Sequence, residues 1–190
     1  MNRLPLFALF VFASIFTASA TEPIKLAFRN SDVHEVLALY QSLTAKKIIY
    51  DNTVQGTMSL DLEAPVNREK AIELIEKSLF ANGFSLIDIS GDSVEVAGLG
   101  RNPRALGVPV YTKPEDIPKG ERVFTFIIKL HHRDAAAIQQ LLAQHIAASI
   151  STSVIADSKS GTIVVSERTS VIRSLLPIVA AFDIPEGDVK

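Results

Sequence analysis

Residues 98–120 read GLGRNPRALGVPVYTKPEDIPKG, with four prolines and four glycines in 23 positions and neither a helical nor an alternating period. Proline fixes φ and removes a donor, and glycine gives up side-chain packing, so no regular element runs across such a stretch. The chain is therefore cut into two parts that must each bury their own apolar residues, joined by a linker or an extended strap. With 190 residues and 47% hydrophobic side chains there is enough apolar material for two small cores.

On the N-terminal side the period changes repeatedly. Residues 24–28 (IKLAF) alternate and predict a strand. Asp32 followed by Glu35 suits a capping box, and Val33, Val36, Leu37, Tyr40 and Leu43 then fall on one helical face. A short strand over 47–50 and a turn over 51–56 follow. Met58, Leu60 and Leu62 alternate with Ser59, Asp61 and Glu63, the pattern of a half-exposed strand. Asn67 caps a second helix with Ala71, Leu74, Ile75 and Leu79 on its apolar side, and Asn82-Gly83 stops it. Strands over 84–89 and 93–97 meet at the tight turn Ser90-Gly91-Asp92.

The C-terminal side has fewer parts. A strand over 122–130 leads to Asp134, which caps a helix carrying Ile138, Leu141, Leu142 and Ile146. Residues 153–156 and 162–166 predict a hairpin. Thr169 or Ser170 caps a last helix with Val171, Ile172, Leu175, Leu176, Val179 and Phe182, which Pro177 should kink or cut short. Asp183-Ile184-Pro185 ends it. The fold class is α+β: two small domains, βαββαββ over 21–97 and βαββα over 121–185, with 98–120 between them and 186–190 as a tail. Short sheets of this kind leave edge strands, which are either covered or used to bind another strand.

The first twenty residues stand apart. Met1-Asn2-Arg3 is a positive start, residues 4–16 are apolar, and Ala18-Ser19-Ala20 supplies small residues for cleavage after Ala20. The apolar run is short for a membrane span, so a cleaved export leader is the expectation and a retained anchor the alternative. Removing Arg3 leaves 18 basic residues against 21 acidic ones, a net −3. That balance is poor for phosphate backbones, and no nucleic-acid partner is expected. The absence of cysteine excludes disulfide frameworks, thiolate zinc sites and thiol nucleophiles.

Catalytic patterns fail one by one. His131 and His132 are adjacent on a strand end and point apart, so a shared ion with Asp134 is not expected. His145 lies at the margin of a helical face and reads as partly buried or interfacial. His34 has no partner visible in the sequence. Gly98-Leu99-Gly100 lacks a third glycine and a following helix, so it is no dinucleotide fingerprint. Ser149, Ser151 and Ser153 lack a nucleophile-elbow context. No catalytic residue, metal ligand or cofactor site is expected. The outline βαββα is shared with KH-type RNA-binding modules, but the GXXG loop that clamps the backbone is missing.

The ordered series Leu26-Ala27-Phe28-Arg29-Asn30-Ser31-Asp32-Val33, Ile48-Ile49-Tyr50-Asp51, Val54-Gln55-Gly56-Thr57-Met58-Ser59-Leu60 and Gly107-Val108-Pro109-Val110 resembles one family. Asp134-Ala135-Ala136-Ala137, Leu141-Leu142, Thr162-Ile163-Val164-Val165 and Ala181-Phe182-Asp183-Ile184-Pro185 continue the likeness. The chain resembles the periplasmic N-terminal region, the N0 and N1 domains, of type II secretion secretins. The resemblance implies a non-enzymatic periplasmic ring or docking protein. It would assemble with itself or other secretin-type subunits, with an inner-membrane secretion component and with exported protein cargo, and be held at the outer membrane through those partners. The long β-rich pore domain of that family has no counterpart in these 190 residues, since no series of amphipathic strands for a barrel is present. The edge-strand argument makes Ile24, Leu26, Phe28, Thr57, Ser59 and Asp61 the candidate partner-binding residues. The alternative is a signalling module like the short N-terminal domain of TonB-dependent transducers.

Overall fold

A computed structural model describes residues 23–185. The leader expected over residues 1–20 with its cleavage after Ala20, and the tail expected over 186–190, lie outside the described residues.

The chain forms β1 (Ala27–Asp32), α1 (Val33–Thr44), β2 (Lys47–Tyr50), β3 (Thr57–Asp61), α2 (Arg68–Ala81), β4 (Ser85–Ser90) and β5 (Ser93–Ala97). Within the strap, where no regular element was expected, lies the two-residue β6 (Val110–Tyr111), and after it come β7 (Val123–Lys129), α3 (Ala135–His145), β8 (Ser153–Asp157), β9 (Thr162–Arg168) and α4 (Thr169–Phe182). The α+β class and its order are as the periodicities predict. The strands do not form one sheet per half, however. In the first unit β1 pairs antiparallel with β3 alone, while β2, β5 and β4 make a separate sheet in that order. Both helices touch both sheets. Val36, Tyr40, Ile75, Leu79, Phe84 and Val94 lie in their common core.

The second unit is a four-stranded sheet in the order β6-β7-β9-β8. Its core contains Phe124, Phe126, Ile163 and Val165 from the sheet and Ile138, Leu142, Ile172 and Leu175 from α3 and α4. Asp134 caps α3 through the N–H groups of Ala136 and Ala137. Asp183 receives the backbone N–H groups of His131, His132 and Arg133 at 2.8–3.0 Å, so the residue closing α4 also holds the turn that opens α3.

Four local expectations are corrected. The first strand is displaced from 24–28 to Ala27–Asp32, because a bulge shifts the register between Phe28 and Ser31 and conceals its continuation. Asn30 sits in the bulge at φ 54°. Ile24 joins the ladder only through its bridge to Val66. Neither Thr169 nor Ser170 caps α4: Thr169 is its first residue, and its hydroxyl accepts the Arg122 N–H at 3.1 Å instead. Of the kink or stop expected at Pro177, the stop does not occur: the helix runs on to Phe182, with Pro177 on its exposed side. Finally, Asp32 caps α1 by accepting the His34 N–H, two residues on, rather than the Glu35 N–H of the expected box.

The two units are joined by a buried ionic network at the end of the strap. Arg122, 5% exposed, sends Nη1 to Glu76 Oε1 at 2.8 Å and to the Glu121 carbonyl at 2.6 Å. Its Nη2 donates to the Tyr40 hydroxyl at 2.6 Å and its Nε to Asp88 Oδ1 at 3.0 Å. Tyr40 donates in turn to Glu76 Oε1 at 2.7 Å, and Lys46 reaches Asp88 Oδ1 at 2.9 Å. Two cations face two carboxylates, and the charge cancels within the cluster. Burial is the largest influence on both groups: it pushes the Tyr40 hydroxyl up, and at Arg122 it is overcome only by Glu76, Tyr40 and Asp88 together, which hold the guanidinium more firmly protonated.

Removing one member leaves an uncompensated buried charge, which costs about 3–5 kcal/mol. Arg122→Ala should therefore lose stability on that scale in urea denaturation, and Arg122→Met with Glu76→Leu should regain most of it. Acid acts on the network and beyond it: burial raises Asp88, but Arg122 and Lys46 together hold it below the usual carboxylate range. Backbone N–H groups lower Asp183 against the opposing effect of burial, and Lys47 pulls exposed Asp92 down to about 2. A depressed carboxylate stabilises above its unfolded pKa and loses that contribution as pH falls through the folded one. The melting temperature should hold down to about pH 4 and then decline toward pH 2, less steeply in Asp183→Asn.

Candidate assembly surfaces

The six residues proposed as a docking edge fall on two faces. Period-two alternation sends Leu26 fully into the core, with Ile24 and Phe28 half-buried against it. Leu26 is thus a core residue and cannot present its side chain to a partner. Thr57, Ser59 and Asp61 are exposed, yet all three are engaged within the unit. Thr57 donates to Asn30 Oδ1 at 2.7 Å, Ser59 Oγ accepts the Asn30 N–H at 2.9 Å, and Asp61 pairs with Arg29 at 2.7 Å. The bulge therefore draws the outward side chains of β3 onto itself. What remains for a partner is the backbone, because among the described residues β1 and β3 pair only with each other and each keeps an outer edge.

The second unit blunts its edges. Gln139 Nε2 donates to the Val154 carbonyl of edge strand β8 at 3.0 Å. At the other edge β6 is two residues long and follows Pro109. Its sheet face is different. Ile127 on β7 lies opposite Val164 on β9, which lies opposite Ile155 on β8. Their neighbours Phe126, Ile128, Ile163 and Val165 are in the core with the helices, so this row points the other way. Ile155 is 59% exposed. Along β7 that face changes from Val123, wholly buried against Ile87 and Ala97 of the first unit, to the exposed Lys129.

The polar residues singled out for chemistry sit in a turn, a loop and at helix ends. His131 and His132 are exposed in the turn before α3 with ring centroids 6.3 Å apart. His34 has a partner after all: its Nδ1 lies 2.6 Å from Asp32 Oδ1 and its ring packs at 5.0 Å from Tyr50. His145 is exposed at the end of α3 rather than partly buried, on the rim of a cleft between the units. Ser149, Ser151 and Thr152 turn their hydroxyls to the buried Glu167, Thr152 at 2.5 Å, which ties the loop after α3 to the sheet. Among the described residues no group of three or more His, Cys, Asp or Glu is arranged to hold a metal ion. No helix among them is long and apolar enough to cross a membrane.

Sequence reasoning missed Asn30, Glu76, Arg122 and the Ile127–Val164–Ile155 row. An acid three residues before Leu79 on an apolar helix face was a legible signal for Glu76. The unbroken apolar runs 126–128 and 163–165 were the signal for a sheet with apolar residues on both faces.

Two family models match in tandem. Residues 26–96 match the GspD-like N0 domain, and residues 125–187 match the bacterial type II/III secretion system short domain. The chain belongs to the secretin family. It is 25% identical over 177 residues to secretin PulD of Klebsiella pneumoniae, covering 92% of this chain and 26% of that protein. To secretin GspD 2 of Escherichia coli O78:H11 (strain H10407 / ETEC) it is 21% identical over 156 residues, 82% of this chain and 23% of the relative. The chain thus spans about a quarter of the length of the curated secretins it matches. The fold is similar to that in the Klebsiella pneumoniae type II secretion system outer membrane complex of PulD, PulS and the PulC HR domain. The TM-score is 0.69 at 23% identity, over 83% of this chain and 26% of that one.

The two faces of the first sheet should separate cleanly in mutagenesis. Leu26→Ala should cost about 2–5 kcal/mol by opening a cavity. Ser59→Ala, at an exposed site, should stay within about 1.5 kcal/mol. Equal costs in thermal unfolding would contradict the assignment of faces.

Proposed function

We propose that this chain works without bond-making chemistry, as a ring and docking component of protein secretion across the outer membrane. The observation that carries the reading is the tandem match of 26–96 and 125–187 to two secretin domains in the order the family uses. On this reading 21–97 and 121–185 are its two domains, and residues 1–20 are a leader removed after Ala20 that delivers them to the periplasm. The second domain packs against copies of itself or other secretin-type subunits through the open Ile127–Val164–Ile155 row, which a monomer leaves in water. The first domain offers the backbone edges of β1 and β3 to an inner-membrane secretion component, by strand addition, with exported protein as the cargo. The matched Klebsiella complex contains a PulC HR domain beside its secretin, which favours a partner of that kind. The signalling alternative has no support, since residues 125–187 match a secretion-system domain.

A photo-crosslinking amino acid placed at Ala27 and, separately, at Ile155 tests both surfaces in the native envelope. Ala27, exposed on β1, should capture an inner-membrane secretion protein, and Ile155 a second copy or another secretin. Adducts with neither class of protein would overturn the proposal.

A further inference from the structure

The contact between the two units combines little apolar area with many directed polar bonds. Its fully buried apolar part is Ile87 and Ala97 against Val123, with Phe80 of α2 and Leu106 and Val108 of the strap packed against them. On another side a cleft of about 360 Å³ keeps Phe80 and Phe84 of the first unit apart from Ile146, Ile150 and Val171 of the second. A non-directional contact this small does not select one angle between two domains, and relative motion is the ordinary expectation.

The polar part does select an angle. The Arg122 guanidinium is planar, and four of its N–H groups are committed: to Glu76 on α2, Tyr40 on α1, Asp88 on β4 and the Glu121 carbonyl. Three elements of the first unit thus grip one side chain of the second in a fork that tolerates little rotation. The backbone is held as well. The Glu121 N–H donates to Glu76 Oε2 at 2.8 Å, and the Arg122 N–H is taken by Thr169 on α4. Gly120 lets the chain pass: a Cβ there would lie 2.5 Å from Glu76 Oε2.

The strap adds pins at both ends. Arg101 pairs with Asp51 of the first unit, and a Cβ on Gly98 would lie 2.2 Å from the Thr53 carbonyl oxygen. Farther on, β6 joins the second sheet beside β7, Ile117 enters the second core, and Arg173 on α4 donates to the Ile117 and Pro118 carbonyls at 3.2 Å.

We infer that Arg122 is a latch: its network with Glu76, Tyr40 and Asp88 locks the two domains into one rigid body, so that the β1–β3 edges are held at a set angle to the open face of the second sheet. This property belongs to the chain alone and stands whether or not the docking reading holds. An interaction at either surface would then be transmitted to the other as an orientation, with no flexible joint to absorb it.

The chain contains no cysteine, so two introduced ones can be spin-labelled without background. Gln41→Cys on α1 and Lys159→Cys in the β8–β9 turn are exposed sites on opposite units. The test uses the protein purified from the periplasm of expressing cells and measures the distance between labels by pulsed electron paramagnetic resonance. A single narrow distribution is expected, turning broad when Arg122→Met and Glu76→Leu are combined. That pair removes both charges at similar volume and should keep the fold, read by circular dichroism. If it does not fold, Arg122→Lys serves instead, keeping the charge and losing the fork, and should broaden the distribution likewise. A broad distribution with Arg122 intact, or a narrow one in the folded variant, would overturn the inference.

Discussion

A single guanidinium, taken out of water between two domains, sets the terms for the whole molecule. A buried charge is tolerated only when its donors are met, and Arg122 meets four of them with groups from α1, α2, β4 and the Glu121 carbonyl. Glu76 sits at a core position of α2, 1% exposed, where it accepts from Arg122, the Tyr40 hydroxyl and the Glu121 N–H. Tyr40 turns its hydroxyl to the network while its ring fills the first core. Thr169 gives up a capping role to bond the Arg122 backbone. Gly120 is small because Glu76 is there. These choices, distant in sequence, are answers to one electrostatic requirement.

The same molecule treats its strand edges in two ways. The second unit covers or shortens them, with Gln139 on β8 and Pro109 before a two-residue β6. The first unit leaves the outer edges of β1 and β3 unpaired and spends the outward side chains of β3 on the bulge around Asn30. An open edge invites another strand, and a blunted sheet with an apolar outer row invites a surface. On the proposed reading, the two halves of this chain make two different kinds of contact.

Much of the fold was legible because it rests on local periodicity. The apolar face of α1, the strand over 47–50, the turn at Ser90-Gly91-Asp92, the caps at Asn67 and Asp134 and the β8–β9 hairpin all follow from spacing and turn chemistry. The failures share a cause. At 24–28 the alternation was read to its end at Phe28, because a bulged strand loses its period where it bends. Leu26 looked like an edge residue, since alternation reveals that a strand has two faces and not which one is covered. Pro177 was expected to kink the helix or end its first half, and the end does not occur, because what a proline does to a helix depends on how that helix packs. His34 found a partner two residues away, and His145 turned outward, for reasons equally invisible in one dimension.

The sequence by itself determined where most of the elements lie and which family their order belongs to, because both are carried by short-range spacing and by the order of short segments. Tertiary structure alone decided the split of the first unit into two sheets, the open row on the second sheet and the pairing of Glu76 with Arg122. Those depend on residues 46 positions apart meeting in space, where the cost of an unpaired buried charge, rather than any local preference, selects the partner.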